Sequence, residues 1–215
     1  MKIYFFPGLG ADSSLANFHK IQGYETKWIE WPKEFGSTWN EFINKILSQN
    51  SIEPNGIYVG ISFGGLVAQH LANIISPKKI ILVGSLKTKK DISVLLLLFL
   101  PAIKFVPSLF FKIDFLPEFL IKYFFGIQRT EDVILFKQMA GRISNDNSKK
   151  LIMLVVENRQ IFGLSDRTIS IHGDRDKILP IGKQFIDYKI KNGGHLISMT
   201  HQGQVNESIL ECIQK

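Results

Sequence analysis

A continuous apolar run, Ile57–Gly60, stops at Gly60-Ile61-Ser62-Phe63-Gly64-Gly65 and passes at once into a greasy helical pattern, Phe63–Ile75. A strand that becomes a helix within so few residues must do so through a tight turn, with Ser62 at its apex. Apolarity that is continuous rather than alternating means that both faces of the strand are covered, as in the interior of a parallel sheet. This one unit therefore predicts layers, with a sheet between helices.

The rest of the chain repeats the theme. Short runs rich in β-formers recur at Lys2–Phe6, Thr26–Trp31, Lys79–Val83, Thr168–Ile171 and Phe185–Ile190, each ending at a Gly- or Pro-containing turn. Between them, Thr38–Ser48 places Trp39, Phe42, Ile43, Ile46 and Leu47 on one helix face, with Ser37 or Thr38 available as its cap. A further helix is expected at Thr200–Ile213. Alternating strands and helices predict an α/β fold with a mostly parallel β-sheet flanked by helices. The 215 residues suit a single domain, 1–215, large enough to bury a substantial core.

Residues 86–166 break this rhythm. They are helical by pattern, punctuated by Pro101, Pro107 and Pro117, and unusually apolar from Ile92 to Phe111. A membrane-spanning helix needs about 20 apolar residues, and Pro101, Lys104 and Pro107 interrupt this run. Short helices packed over the sheet are expected instead, with a turn at Ser144–Ser148 leading into a helix over Lys149–Phe162.

The net charge is +7, and 13 Lys/Arg against 8 Asp/Glu between Lys87 and Arg167 put +5 of it in that segment. The cations are scattered singly, without aromatic–basic alternation, so a solvated face is expected and nucleic acid is excluded as a partner. The one cysteine, Cys212, cannot form an internal disulfide and reads as a packed helix residue. The apolar stretch Ile3–Phe6 is too short for a signal-peptide core before Pro7-Gly8, which suits a cytoplasmic location.

Gly60-Ile61-Ser62-Phe63-Gly64, with a strand before it and a helix after, has the form of a nucleophile elbow. The glycines at 60 and 64 leave room for the backbone to turn. A serine hydroxyl is a poor nucleophile at neutral pH and needs a neighbouring base. Among the five histidines, His195 stands in Asn192-Gly193-Gly194-His195, a loop directly after the last strand that can fold back over the sheet edge. His201 is the rival, but six residues further on it falls inside the C-terminal helix. His70 reads as a helix-face residue, and His19 has no evident partner. The base needs an orienting carboxylate, and the segment from His172 to Pro180 offers both Asp174 and Asp176, with His172 a structural residue of the turn. The oxyanion of a tetrahedral intermediate needs backbone donors. The amide of Phe63 and that of Leu9, in the loop Pro7-Gly8-Leu9-Gly10, are the candidates.

Together these motifs resemble the α/β-hydrolase superfamily over essentially the whole chain. The order Ser62, Asp176, His195 matches that family. The resemblance implies that Asp176 is the triad acid, leaving Asp174 to stabilise the turn, and that residues 86–166 form a helical cap insertion over the site. It implies an esterase-type serine hydrolase acting on a small-molecule ester or acyl substrate, with no metal and no cofactor. There are departures. The antiparallel hairpin with which the family often begins has no counterpart, and Pro7-Gly8 replaces the usual His-Gly of the oxyanion loop. Serine at 62 argues against the dehalogenases and epoxide hydrolases of the same fold, whose nucleophile is aspartate.

An apolar acyl pocket lined by Leu95–Leu100, Phe105, Leu109–Phe111, Phe115, Phe119 and Phe124–Phe125 is expected from the cap. Its basic character also admits thioesters or acyl chains on an acidic carrier protein, and its apolar face admits peripheral membrane contact. Acyl transfer, or ligand binding without catalysis, are the alternatives on the same fold.

Overall fold

The structure is a computed structural model that describes residues 1–87, 105–111, 115–157, 168–181 and 186–215. Among the described residues, six strands, β1 (Lys2–Phe6), β2 (Glu25–Trp28), β3 (Ile57–Ile61), β4 (Lys79–Val83), β5 (Thr168–Gly173) and β6 (Tyr188–Ile190), form one sheet. Its order is β2-β1-β3-β4-β5-β6. Every neighbouring pair is parallel. Among the described residues the helices are α1 (Trp39–Gln49), α2 (Phe63–Ala72), α3 (Glu118–Phe125), α4 (Thr130–Gly141), α5 (Asn145–Glu157), α6 (Ile197–Thr200) and α7 (Gln202–Gln214).

Both faces of the sheet are covered, which is why its strands read as unbroken apolar runs. Ile3 and Phe5 point to one side, where Val59, Ile81 and Ile171 meet Val205, Ile209 and Cys212 of α7. Tyr4 and Phe6 point to the other, where Tyr58 and Leu82 meet Phe42, Ile43 and Ile46 of α1 and Leu66 and Leu71 of α2. Cys212 is fully buried, and burial pushes its thiol up to about 11, as suits a packing residue.

The chain leaves β1 toward β2 on one side and returns to β3 on the other. The strand order therefore reverses between β1 and β3, and in open parallel sheets the crevice beyond the strand ends at such a point is the natural place for a ligand. The register pairs Phe6 with Gly60, Ile61 with Val83 and Gly173 with Ile190. The loops after these strands thus emerge along one edge, with Gly8 beside Ser62.

Boundaries differ from expectation where pairing stops. The run Thr26–Trp31 is a strand only over Glu25–Trp28: β2 is an edge strand that pairs, among the described residues, only with β1, and that pairing ends at Phe5 opposite Trp28; the Ile29 amide still donates to the Phe5 carbonyl at 2.9 Å. The helix expected at Phe63–Ile75 ends at Ala72. The one expected at Thr200–Ile213 is two, α6 and α7, with His201 at the joint in a non-helical conformation. For α1 the cap is Thr38, whose hydroxyl accepts from the Glu41 amide, while the Glu41 carboxylate accepts from the Ser37 amide.

Within 86–166, the described residues form a 3-10 turn at Ser108–Phe111 and the helices α3, α4 and α5. The last of these begins before the expected Lys149, because the Ser144 hydroxyl accepts from the Asn147 amide and starts it early; 158–162 lie outside the described residues. Ile121 of α3 and Val133, Phe136 and Met139 of α4 join the first core, whereas Leu151 and Leu154 of α5 join the second. The Trp39 indole ties α5 to α1 by donating to the Leu154 carbonyl at 2.8 Å. Among the described residues, no helix is long and apolar enough to cross a membrane.

Candidate active site

Ser62 sits between the last residue of β3 and the first of α2, with φ 49° and ψ −118°. This is left-handed territory that a side chain occupies at a cost of about 1–3 kcal/mol. Three hydrogen bonds hold it there. The Ser62 amide donates to the Val83 carbonyl at 2.9 Å, the Ser62 carbonyl accepts from the Gly65 amide at 3.0 Å, and it also accepts from the Ser85 hydroxyl at 2.6 Å. The two elbow glycines are required by crowding. A Cβ on Gly60 would lie 2.3 Å from the Gly65 Cα, and one on Gly64 would lie 2.0 Å from the Phe6 carbonyl oxygen.

His195 reaches Ser62 because the loop after β6 folds back over the sheet edge. A Cβ on Gly194 would meet the Gly126 Cα at 2.5 Å, so the end of α3 rests directly on this loop; the Leu196 amide adds a bond to the Phe125 carbonyl at 3.2 Å. The His195 Nε2 lies 2.8 Å from the Ser62 Oγ, and its Nδ1 lies 2.8 Å from the Asp176 Oδ2. The carboxylate can only accept, which assigns the proton to Nδ1 and leaves Nε2 with the lone pair facing the serine hydroxyl. The structure thus brings Ser62, His195 and Asp176 into one hydrogen-bonded line.

Asp176 is nearly inaccessible, and its Oδ1 accepts from the amides of Ile178 and Leu179 at 2.9 and 2.8 Å. Burial on its own would raise its pKa. The hydrogen bonds from His172 and His195, with the attraction of His195 and the Leu179 amide, outweigh it and hold the carboxyl well below the usual carboxylate range. A lowered folded-state pKa means that the charged carboxylate contributes stability in full above 3.8, and that this contribution is lost as pH falls toward the lowered value. The stability gap between wild type and Asp176→Asn is therefore expected to be constant near neutral pH and to shrink on acidification below that point. Urea titrations of both proteins over a pH series measure it.

The other candidates lie apart from the line. His201 bonds the Thr200 hydroxyl at the α6–α7 joint, His70 stacks on Trp39, and His19 is buried against Phe5 and Trp28 with its Nδ1 on the Asn206 amide oxygen. Asp174 is exposed in the turn after β5. The loop carrying Leu9 packs beside the serine, since a Cβ on Gly8 would be 3.3 Å from the Ser62 Cβ. Phe63 opens α2, so its amide has no acceptor inside the helix.

Ser62, His195 and Leu9 border a cavity of about 170 Å³ whose other lining, among the described residues, is mostly apolar and includes Leu15, Phe125, Phe136, Met139 and Ile178. Of the residues expected to form an acyl pocket, Phe125 is the only one among the described residues that lines it. Phe105, Leu109, Phe115, Phe119 and Phe124 are exposed, and Leu95–Leu100 lie outside the described residues. For Phe119 and Phe124 the difference arises because α3 turns one end, not one face, toward the site. Sequence reading also missed Leu15, Phe136 and Met139, which carry no signal beyond being apolar. Ser85, directly past the C-terminal end of β4, had a positional clue.

The all-parallel sheet, with this elbow after β3, defines the class: the chain has the α/β-hydrolase fold. No family model and no curated protein sequence matches it, but solved structures do. A bromoperoxidase from Bacillus anthracis superposes with a TM-score of 0.70 over 100% of this chain and 92% of its own, at 17% identity. A thermophilic esterase from Thermogutta terrifontis does so with a TM-score of 0.64 over 100% and 89%, at 14% identity. A meta-cleavage product hydrolase from Pseudomonas fluorescens gives 0.62 over 99% and 89%, at 16% identity.

Proposed function

We propose that this protein is a serine hydrolase that cleaves a carboxylic ester with an apolar acyl group, with Ser62 as nucleophile, His195 as general base and acid, and Asp176 as the orienting carboxylate. One observation carries the reading: the Ser62–His195–Asp176 line, 2.8 Å at each link, opens into an apolar cavity. That an esterase and a meta-cleavage product hydrolase share the fold agrees with it.

The chemistry follows from the geometry. Ser62 Oγ attacks the ester carbonyl while His195 Nε2 takes its proton, and the Asp176 carboxylate stabilises the imidazolium that forms. The developing oxyanion is received by the Leu9 and Phe63 amides, each worth about 3 kcal/mol in the transition state. His195 then gives the proton to the departing alkoxide, leaving an acyl-enzyme. Water, deprotonated by His195, attacks this ester; the tetrahedral intermediate collapses, the Ser62 oxygen regains its proton and the acid leaves. The described part of 86–166 acts as the cap, with Phe125, Phe136 and Met139 facing the acyl chain.

The test combines a fluorophosphonate probe with a p-nitrophenyl ester chain-length series. Labelling at Ser62 and turnover with a defined optimum length are expected, and Met139→Ala is expected to move that optimum toward longer chains by enlarging the cavity. Folded protein that neither labels nor turns over any ester overturns the reading.

A further inference from the structure

His172 is the second imidazole on the candidate acid. It is 1% exposed, on the last turn-ward part of β5, and its Nε2 lies 3.0 Å from the Asp176 Oδ2 and 2.8 Å from the Leu179 carbonyl oxygen. Both partners are acceptors, so Nε2 carries the proton and donates to both. Its Nδ1 is buried without a hydrogen-bond partner among the described residues, so the ring faces the carboxylate with one working nitrogen. Asp176 therefore receives four donors: two amides on Oδ1, and His195 and His172 together on Oδ2.

We propose that His172 is a positioning residue for the Ser62–His195–Asp176 line, one that both locks the carboxylate and shares the oxygen that His195 uses. This rests on the proposed hydrolase reading. Through the Leu179 carbonyl it closes the loop that carries Asp176, and through Oδ2 it fixes the carboxylate plane toward His195. The shared oxygen has a further consequence. A donor on Oδ2 takes up part of the carboxylate's negative charge, so without His172 more of that charge falls on the Nδ1–H of His195. The other charged groups on the flanking elements, Asp174, Arg175 and Lys177 in the same turn and Lys189 across on β6, are exposed and solvent-screened.

The experiment is the rate of fluorophosphonate inactivation across roughly pH 5 to 8, in wild type, His172→Phe and His172→Gln, with thermal melts alongside. Phenylalanine keeps the bulk and removes the donor; glutamine can return an N–H to the same place. His172→Phe is expected to lose about tenfold in inactivation rate on the alkaline plateau and to move the acid limb up by about half a pH unit. His172→Gln is expected to regain most of both. A residue that only supports the turn would lower the rate without moving the limb. Coinciding limbs in all three labelled proteins overturn the role of His172 and leave the hydrolase reading standing. Wild type that never labels overturns that reading and this role with it.

Discussion

Ser62→Ala is expected to lose about a million-fold in kcat on any ester the protein turns over, because the bond-forming atom is gone while the rest of the site survives. The companion variant Ser62→Gly separates the chemistry from the backbone. Ser62 holds φ at 49° only because three hydrogen bonds and the adjoining strands impose it. Glycine adopts that conformation without penalty, so Ser62→Gly is expected to be equally inactive yet more stable by roughly 1 kcal/mol, less what is lost with the His195 contact. Steady-state rates and thermal melts on both variants decide it. A Ser62→Gly protein that melts well below Ser62→Ala would show that the elbow stores no strain.

Gly64→Ala is expected to be the most damaging single-methyl substitution tested. Its Cβ would sit 2.0 Å from the Phe6 carbonyl oxygen and 2.5 Å from that of Pro7, and both obstacles are backbone. The methyl can be accommodated only by prising the end of β1 away from the elbow, which costs about 2–4 kcal/mol. The same movement carries the Leu9 loop off Ser62. An ångström-scale misplacement of this kind costs about a hundredfold in rate, so probe labelling and stability are expected to fall together. Gly203→Ala is the control, since nothing lies within 4 Å of a Cβ there and the residue sits in α7. It is expected to be neutral or to gain up to about 1 kcal/mol from helix propensity. Urea unfolding of both variants gives the sign of each change.

Much of the arrangement was legible along the chain. The unbroken apolar runs told of a sheet covered on both faces, and β1 and β4 match the expected Lys2–Phe6 and Lys79–Val83 residue for residue. The elbow could be read because a strand, a serine between glycines and a helix are all local features. The Asn192-Gly193-Gly194-His195 loop could be read for the same reason: glycines mark where backbone must pass close to backbone. Choosing Asp176 over Asp174 needed a resemblance, because nothing in the turn itself distinguishes two carboxylates two residues apart.

What the tertiary structure alone decided are the contacts between elements distant in sequence. It set the end of β2 at Trp28, since an edge strand is held only by the neighbour it pairs with, and that pairing ends at Phe5 of β1. It turned one end of α3 toward the site and left Phe119 and Phe124 exposed, although Phe119, Phe124 and Phe125 look alike in sequence. It set His172 on Asp176, four residues away in a turn whose shape depends on the amides of Ile178 and Leu179, the carbonyl of Leu179 and the strands beneath. Local propensity and periodicity specify which face of an element is apolar. Which apolar side chain meets which, and where a histidine finds its acceptor, follow from how strands and helices stack, because only that packing brings residues like Ser62 and His195 within 2.8 Å across 133 positions of chain.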